Sequence, residues 1–159
     1  MFAKPQSEHE WLEPLLGNWS VETECQMSPD QPLHTSHGQA TCRSLEGMWL
    51  LIETGGTDSE SGNWSTLMTV GYDPAKKSYI GTFVGSMMTC LWFYQGNLDQ
   101  TGKKLILDTE GPQCGGDGVA QYQDSIELID QDHWILSSQM QTETGEWNKI
   151  MTSHHRRIT

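Results

Sequence analysis

Long apolar runs are missing from this sequence of 159 residues. No window approaches the ~18 consecutive apolar residues that a membrane-spanning helix needs, and the mean hydropathy is −0.55. The first residues, MFAKPQSEHEWLE, lack the apolar stretch followed by small residues that marks a secretory signal. We therefore expect a cytoplasmic protein that does not enter a membrane.

Basic residues are also scarce. Nine Lys and Arg stand against 21 Asp and Glu, which gives a formal net charge of −12. Sequence-independent binding to nucleic acid or to an anionic membrane needs a basic face. The sequence therefore predicts neither partner, and its acidic charge is typical of a surface that keeps the protein soluble.

Motifs of catalysis and metal binding are lacking as well. The chain has no G-x-S-x-G, no H-E-x-x-H and no Gly-rich phosphate loop before a helix. Its four cysteines are widely spaced, without a C-x-x-C pair, so we expect free thiols and no zinc site. Asp108 and Glu110 are two residues apart and share one strand face, where they could form a carboxylate pair for hydrolysis. In so acidic a chain, such a pair is more typical of a solvated strand face. An enzymatic function is not indicated.

The sequence does contain many aromatic residues, and its apolar and polar residues alternate with a period of two. Trp19, Val21, Thr23 and Cys25 alternate with polar residues in the way that a half-buried strand does. About ten such segments follow one another at the ~8–12-residue spacing of sandwiches and barrels, without crossover helices. The sequence predicts one all-β domain over residues 1–159, an antiparallel up-and-down β-barrel with a short N-terminal helix over 7–16 and strands over 17–157.

The segment Thr66–Gly96 is the densest apolar part of the chain. We interpret it as three strands, Thr66–Tyr72, Ser78–Gly85 and Met87–Gly96, with the first two joined by a turn at Asp73-Pro74. Glycines inside these strands predict close backbone approach in a coiled barrel wall. The polar segments Thr54–Asn63 and Gly111–Gly118 are predicted to be loops.

Several segments resemble the bacterial domain of unknown function 1579 family. They are HEWLEPLLGNWSVE, CRSLEGMWLLIETGG, the stretch from Thr66 to Asp99, and LDTEGP. The resemblance covers nearly the whole chain. It implies a small calycin-like barrel, related to the lipocalins, and supplies no catalytic motif. One departure is His155, where the family pattern leads us to expect Tyr.

A structural role follows from the looser calycin likeness. In such barrels a Trp at the start of the first strand packs on an Arg of the last strand. That likeness implies that Trp19 is held by Arg156 or Arg157, because an aromatic face attracts a guanidinium.

Our main functional hypothesis is a small-molecule ligand in the barrel interior, since barrels of about eight or more strands can hold one. The ligand is expected to be largely apolar, and anionic if Arg43 points inward without a carboxylate partner. The opposing interpretation is that the aromatic residues simply fill the core. The apolar wall is expected to include Trp49, Met68, Tyr72, Phe83, Met87, Trp92 and Tyr94, with Arg43, Asp108 and Tyr122 orienting the ligand.

Two alternatives remain open from the sequence. One is a haem-binding barrel with His155 or His154 as the axial ligand. Haem is the one cofactor that the sequence suggests. The other is a protein-interaction module with a filled core, which would present its loops to a partner. The protein is expected to be a monomer or a homodimer.

Overall fold

The computed structural model describes residues 1–114 and 116–158 and forms a closed barrel of ten antiparallel strands. The predicted fold class is therefore confirmed. A short helix α1 (Ser7–Glu10) and a 3-10 turn (Glu13–Leu15) precede the barrel. The strands are β1 Gly17–Cys25, β2 His34–Leu45, β3 Trp49–Asp58, β4 Gly62–Asp73, β5 Ser78–Gly85, β6 Trp92–Leu98, β7 Lys104–Pro112, β8 Val119–Asp130, β9 His133–Gln141 and β10 Trp147–Ile158.

The barrel closes where β1 pairs with β10. The register runs from Asn18 opposite Ile158 to Cys25 opposite Met151. Each of the other neighbouring pairs is consecutive in sequence, as expected for a meander with short connections. In the described residues each strand therefore has a neighbouring strand on both sides, so the sheet has no open edge strand. Within the described residues, none of the helices is long and apolar enough to cross a membrane.

The N-terminal segment covers one end of the barrel, called here the lower end. Leu12 and Leu15 are buried in the core at 4% and 0% exposure. The phenol of Tyr79 donates to the carbonyl of Glu8 at 2.7 Å, and the indole of Trp19 donates to the carbonyl of Leu15 at 2.9 Å. The N-terminal segment therefore plugs this end of the barrel.

The N-terminal cap of α1 is formed by Gln6 and His9. Gln6 is the N-cap, and the imidazole Nδ1 of His9 accepts a hydrogen bond from the backbone N–H of Gln6 at 2.8 Å. An imidazole acceptor three residues after the cap takes the place of the Glu or Gln that is usual in a capping box. His9 is thereby drawn into the lower end, where it is 4% exposed.

Two predicted boundaries are wrong. The segment Thr54–Asn63 is not a loop, because β3 continues to Asp58 and β4 begins at Gly62. Its cross-strand pairing with β4 outweighs its turn-like composition. The third strand of the Thr66–Gly96 segment begins at Trp92 and not at Met87.

The interior contains two apolar clusters. The lower cluster is the larger one and includes Leu15, Trp19, Val70, Leu107 and Trp134, each at 1% exposure or less. The upper cluster lies towards the other end and consists of Tyr122, Met140 and Ile150, with Trp92, Cys114, Ala120 and Met151 packed against them. The space between these clusters holds the polar groups discussed below.

Arg157, and not Arg156, holds Trp19. The guanidinium carbon of Arg157 lies 4.1 Å from the centroid of the Trp19 ring. Trp19 pairs with Arg157 across β1 and β10, whereas Arg156 is opposite Ser20 and is exposed. Side chains alternate between the two faces of a strand, so only one of two adjacent arginines can reach the base of the barrel. Of the two arginines that the calycin likeness allowed, Arg157 therefore has this role and Arg156 does not.

Candidate functional site

A polar belt separates the two apolar clusters inside the barrel. Its centre is Asp124, in the middle of β8, whose carboxylate Oδ2 accepts a hydrogen bond from the phenol of Tyr94 at 2.5 Å. The hydroxyl of Ser138, directly opposite on β9, donates to the same carboxylate. We define the polar belt as the inward-facing residues Thr23, Tyr94, Thr109, Asp124, Ser138 and Ser153.

The environment of Asp124 is unusual for a carboxyl group. Burial raises its pKa above the ordinary value, and the hydrogen bonds from Ser138 and Tyr94 act in the opposite direction. Yet Asp124 retains intermediate exposure. Asp124 is therefore surrounded mainly by protein and still keeps some accessible surface.

A neighbouring polar group is left without a partner. Thr109 on β7 is 6% exposed, and its hydroxyl oxygen has no hydrogen-bond partner within the described part of the chain. Leu107, two residues earlier, is opposite Asp124, so Thr109 lies beside the carboxylate on the adjacent strand. By contrast, the hydroxyls of Thr23 and Ser153 bond to each other at 2.7 Å. Thr109 is available to a ligand or a water molecule.

Two tryptophans lie flat on the inner wall. The Trp64 ring lies across Gly56 and Gly38, where added Cβ atoms would be 2.8 and 3.2 Å from it. The ring of Trp92 covers Gly111 in the same way, with the nearest atom 2.1 Å from the Cβ position. Because the glycines have no side chains, the indoles pack against the backbone instead of extending across the interior.

Seven of the predicted ligand-binding residues face inward. The structure places Met68 and Tyr94 among the buried residues of the lower cluster, with Tyr72 and Phe83 partly buried against it. Tyr122 belongs to the upper cluster, where its ring meets the ring of Trp92 edge to face at 5.0 Å. Phe83 and Trp92 remain partly accessible. The seventh residue, His155, is discussed separately.

Three predicted residues lie on the outside, so their expected inward orientation is wrong. Arg43 is paired with Glu53 at 3.4 Å, and both side chains are 55% exposed. Trp49 packs outside against Gly71 and is 38% exposed. Asp108 is exposed and accepts a hydrogen bond from Gln123 at 3.0 Å. Arg43 and Asp108 have the opposite parity to the buried residues of their strands, and Trp49 has the opposite parity to Leu50 and Ile52.

His155 faces the interior but is tightly enclosed. Its ring stacks on Trp134 with centroids 3.6 Å apart, and the residue is 1% exposed. Burial lowers the pKa of His155 to about 3, so the imidazole is neutral. A haem ligated by His155 would have to displace the side chains that enclose it. The other candidate, His154, points outward and bonds to His133 at 3.0 Å.

Two further surface features are relevant. A shallow groove of about 600 Å³ follows the outside of β2–β5, and most of its lining, including Glu53, Leu67 and Val84, faces outward. At the upper end, the connection between β5 and β6 exposes Met87, Met88 and Leu91. Met87 was expected in the interior wall, and its position in this loop corrects that expectation. Within the described residues, no group of three or more His, Cys, Asp or Glu side chains is placed to hold a metal ion.

Sequence reasoning missed Asp124, Ser138 and Trp64. Asp124 has the same parity as Tyr122 and Ile126 on β8, so the alternation itself could have identified an inward carboxylate. Trp64 is opposite Gly56, and a tryptophan facing a strand glycine is a recognised packing pair. Ser138 carried no sequence signal, because its role depends on lying opposite Asp124.

Comparison with known proteins supports the fold. The crystal structure of Rv2717c from M. tuberculosis aligns with a TM-score of 0.67 at 13% identity, covering 98% of this chain and all 100% of that one. The S-type phycobiliprotein lyase CPES from Guillardia theta aligns with a TM-score of 0.63 at 14% identity, covering 97% and 94%. At such identities the similarity concerns the fold alone.

A sequence comparison identifies the family. The model of the family described as "Protein of unknown function (DUF1579)" matches residues 4–157, nearly the whole chain. The resemblance expected from the motifs is thereby confirmed. No curated protein matches the sequence.

Proposed function

The chain belongs to the DUF1579 family, and we propose that it binds a small, largely apolar molecule inside the barrel, without catalysis. The proposed location is the space beside the polar belt, between the lower and upper clusters. The observation that carries the proposal is the partial exposure of inward-facing Phe83, Trp92 and Asp124. In a completely filled core such residues would have no accessible surface.

The composition of this space fits a ligand site. Small-molecule pockets are mostly apolar, with a few fixed polar groups that orient the ligand. Here Phe83, Trp64 and Trp92 supply aromatic surface, and Asp124 and Thr109 supply the polar groups. Tyr94 and Ser138 fix the carboxylate, so its orientation is set before a ligand arrives.

The anionic ligand considered from the sequence loses its support. That idea required Arg43 to point inward without a carboxylate partner, and Arg43 is on the outside next to Glu53. A buried carboxylate repels an anion. We therefore expect a ligand that is largely apolar and carries no negative charge.

Native mass spectrometry of the purified protein is the first test. We expect a population of the protein that carries a noncovalently bound small molecule. As a second measurement, the delipidated protein should bind a neutral fluorescent probe such as N-phenyl-1-naphthylamine saturably, at one molecule per chain. If no molecule is retained and the probe does not bind saturably, the proposal is refuted. That result would favour an interaction module with a filled core.

A matched pair of variants locates the site. Phe83→Ala should weaken probe binding by about tenfold or more, since roughly 1.5–3 kcal/mol accompanies full burial of a phenylalanine side chain. Phe93→Ala is the control, because Phe93 is 67% exposed on the outside of the neighbouring strand. Equal effects of the two substitutions would place the probe elsewhere.

A further inference from the structure

We propose that the ligand of this barrel carries a protonated amine, which binds the carboxylate of Asp124. This inference rests on the proposed function and adds the chemical class of the polar group.

The carboxylate of Asp124 has unused hydrogen-bonding capacity. An ionised carboxylate offers about four acceptor positions. Two neutral hydroxyls donate to this carboxylate, the phenol of Tyr94 at 2.5 Å and the side chain of Ser138. Acceptor positions therefore remain for a donor that enters the space from the ligand side.

Asp124 also lacks a positively charged partner among the described residues. The ion pairs among the described residues join His34 to Asp58, His37 to Glu22, Arg43 to Glu53 and Arg157 to Asp132, and none involves Asp124. A buried charge without a counter-charge is costly to a folded protein. An ammonium group bound beside Asp124 would provide the counter-charge, so its binding would be favoured specifically at this position.

A second polar group on the same face of the wall has unused hydrogen-bonding capacity. The hydroxyl of Thr109 is buried beside Asp124 and has no partner among the described residues. An ammonium has three N–H donors. One can bond to the carboxylate and another to the Thr109 oxygen, so a single group would satisfy both. A neutral apolar ligand would leave the Thr109 hydroxyl without a partner and Asp124 without a counter-charge among the described residues.

The aromatic side chains around the space agree with the same chemistry. Trp92 and Tyr122 form an edge-to-face pair at 5.0 Å, and Phe83 lies on another part of the wall. Aromatic faces attract cations through their quadrupoles, most strongly when the cation is desolvated. An aromatic amine or alkylamine would place its apolar body on these rings and its charge on Asp124.

The test compares two probes that differ only in the polar group, 2-naphthylmethylamine and 2-naphthylmethanol. Each is titrated against the delipidated protein in competition with N-phenyl-1-naphthylamine at neutral pH. We expect the amine to bind the wild-type protein at least tenfold more tightly than the alcohol. This comparison needs no variant, so it does not depend on whether a substituted protein folds.

Variants then assign the preference to one carboxylate. Asp124→Asn should reduce the preference for the amine to less than threefold, while the affinity for the alcohol changes little. Asp108→Asn removes a carboxylate from the outer face of the adjacent strand and should leave the preference intact.

The remaining outcomes contradict the inference in distinguishable ways. If both probes bind the wild-type protein equally well, or the alcohol binds better because Asp124 is protonated and acts as a donor, the amine assignment is wrong and the proposed function stands. If neither probe competes and N-phenyl-1-naphthylamine itself does not bind, the proposed function fails as well. An amine preference that survives Asp124→Asn would place the ammonium elsewhere.

Discussion

Replacement of Arg157 by Ala tests how the lower end of the barrel is held together. The guanidinium lies over Trp19 and also donates to three backbone carbonyls, those of Leu16 at 2.9 Å, Gln131 at 2.7 Å and Pro14 at 3.2 Å. It therefore joins β10 to the N-terminal segment and to the connection between β8 and β9. The substitution removes all these contacts at once.

The expected loss can be estimated from the separate contacts. The cation–π contact contributes about 1 kcal/mol at a partly exposed site. The two shorter hydrogen bonds contribute about 1 kcal/mol each. The ion pair with Asp132 adds little, because that carboxylate is 68% exposed. The sum is a loss of about 3 kcal/mol in the free energy of unfolding, or about 6–12 °C in Tm for a chain of this size.

Urea unfolding followed by tryptophan fluorescence and circular dichroism measures this loss. Arg156→Ala is the matched control, since Arg156 is the adjacent residue and is exposed. It should change stability by no more than about 0.5 kcal/mol. If the two alanine variants are destabilised equally, or Arg157→Ala costs under about 1 kcal/mol, the guanidinium does not hold the lower end and the reasoning is wrong.

Three further predictions concern the core. Gly96→Ala should cost about 3 kcal/mol or more in urea unfolding, because an added Cβ would lie 1.8 Å from the carbonyl oxygen of Ile106. Gly116→Ala should cost no more than about 0.5 kcal/mol, because its added Cβ would lie 3.7 Å from the nearest atom of Gln113. Equal costs would contradict the close approach at Gly96. Burial lowers the pKa of His155 to about 3, so the folded state binds fewer protons than the unfolded state. The wild type should therefore lose about 2 kcal/mol relative to a His155→Phe variant between about pH 7.5 and about pH 5, and an imidazole NMR signal that titrates near its ordinary pKa would refute this. Asp124 should act in the opposite direction. Its raised pKa means that the folded state binds more protons, so stability relative to Asp124→Asn should fall as the pH rises from about 4 through the raised pKa and then level off; a difference that grows with pH would show that hydrogen bonding outweighs burial.

The fold could be predicted largely because its signals are local. The alternation around Trp19 and Val21 and the turn at Asp73-Pro74 each depend on residues that are close in sequence. The absence of crossover helices then leaves an antiparallel meander as the simplest arrangement. The errors occurred where pairing overrode composition, as at Thr54–Asp58, which is Gly- and Thr-rich and yet pairs along its length with β4.

The candidate site was predicted less well. The aromatic wall was partly right, since Phe83, Trp92 and Tyr94 do face the interior. The inward orientation predicted for the polar residues Arg43 and Asp108 was wrong, because both have the outward parity of their strands. Asp124, which lies on the inward parity, was overlooked.

Sequence alone determined that this chain forms a ten-stranded barrel plugged by a short helix, since periodicity and turn chemistry act over a few residues. Which arginine reaches Trp19, which aromatic rings lie flat against glycines, and which carboxylate becomes buried were decided by the tertiary structure. Each of these depends on strand register and barrel closure, which bring together residues as far apart as Trp19 and Arg157. The pKa of Asp124 and the vacant hydrogen-bonding capacity beside Thr109 follow from the same long-range convergence.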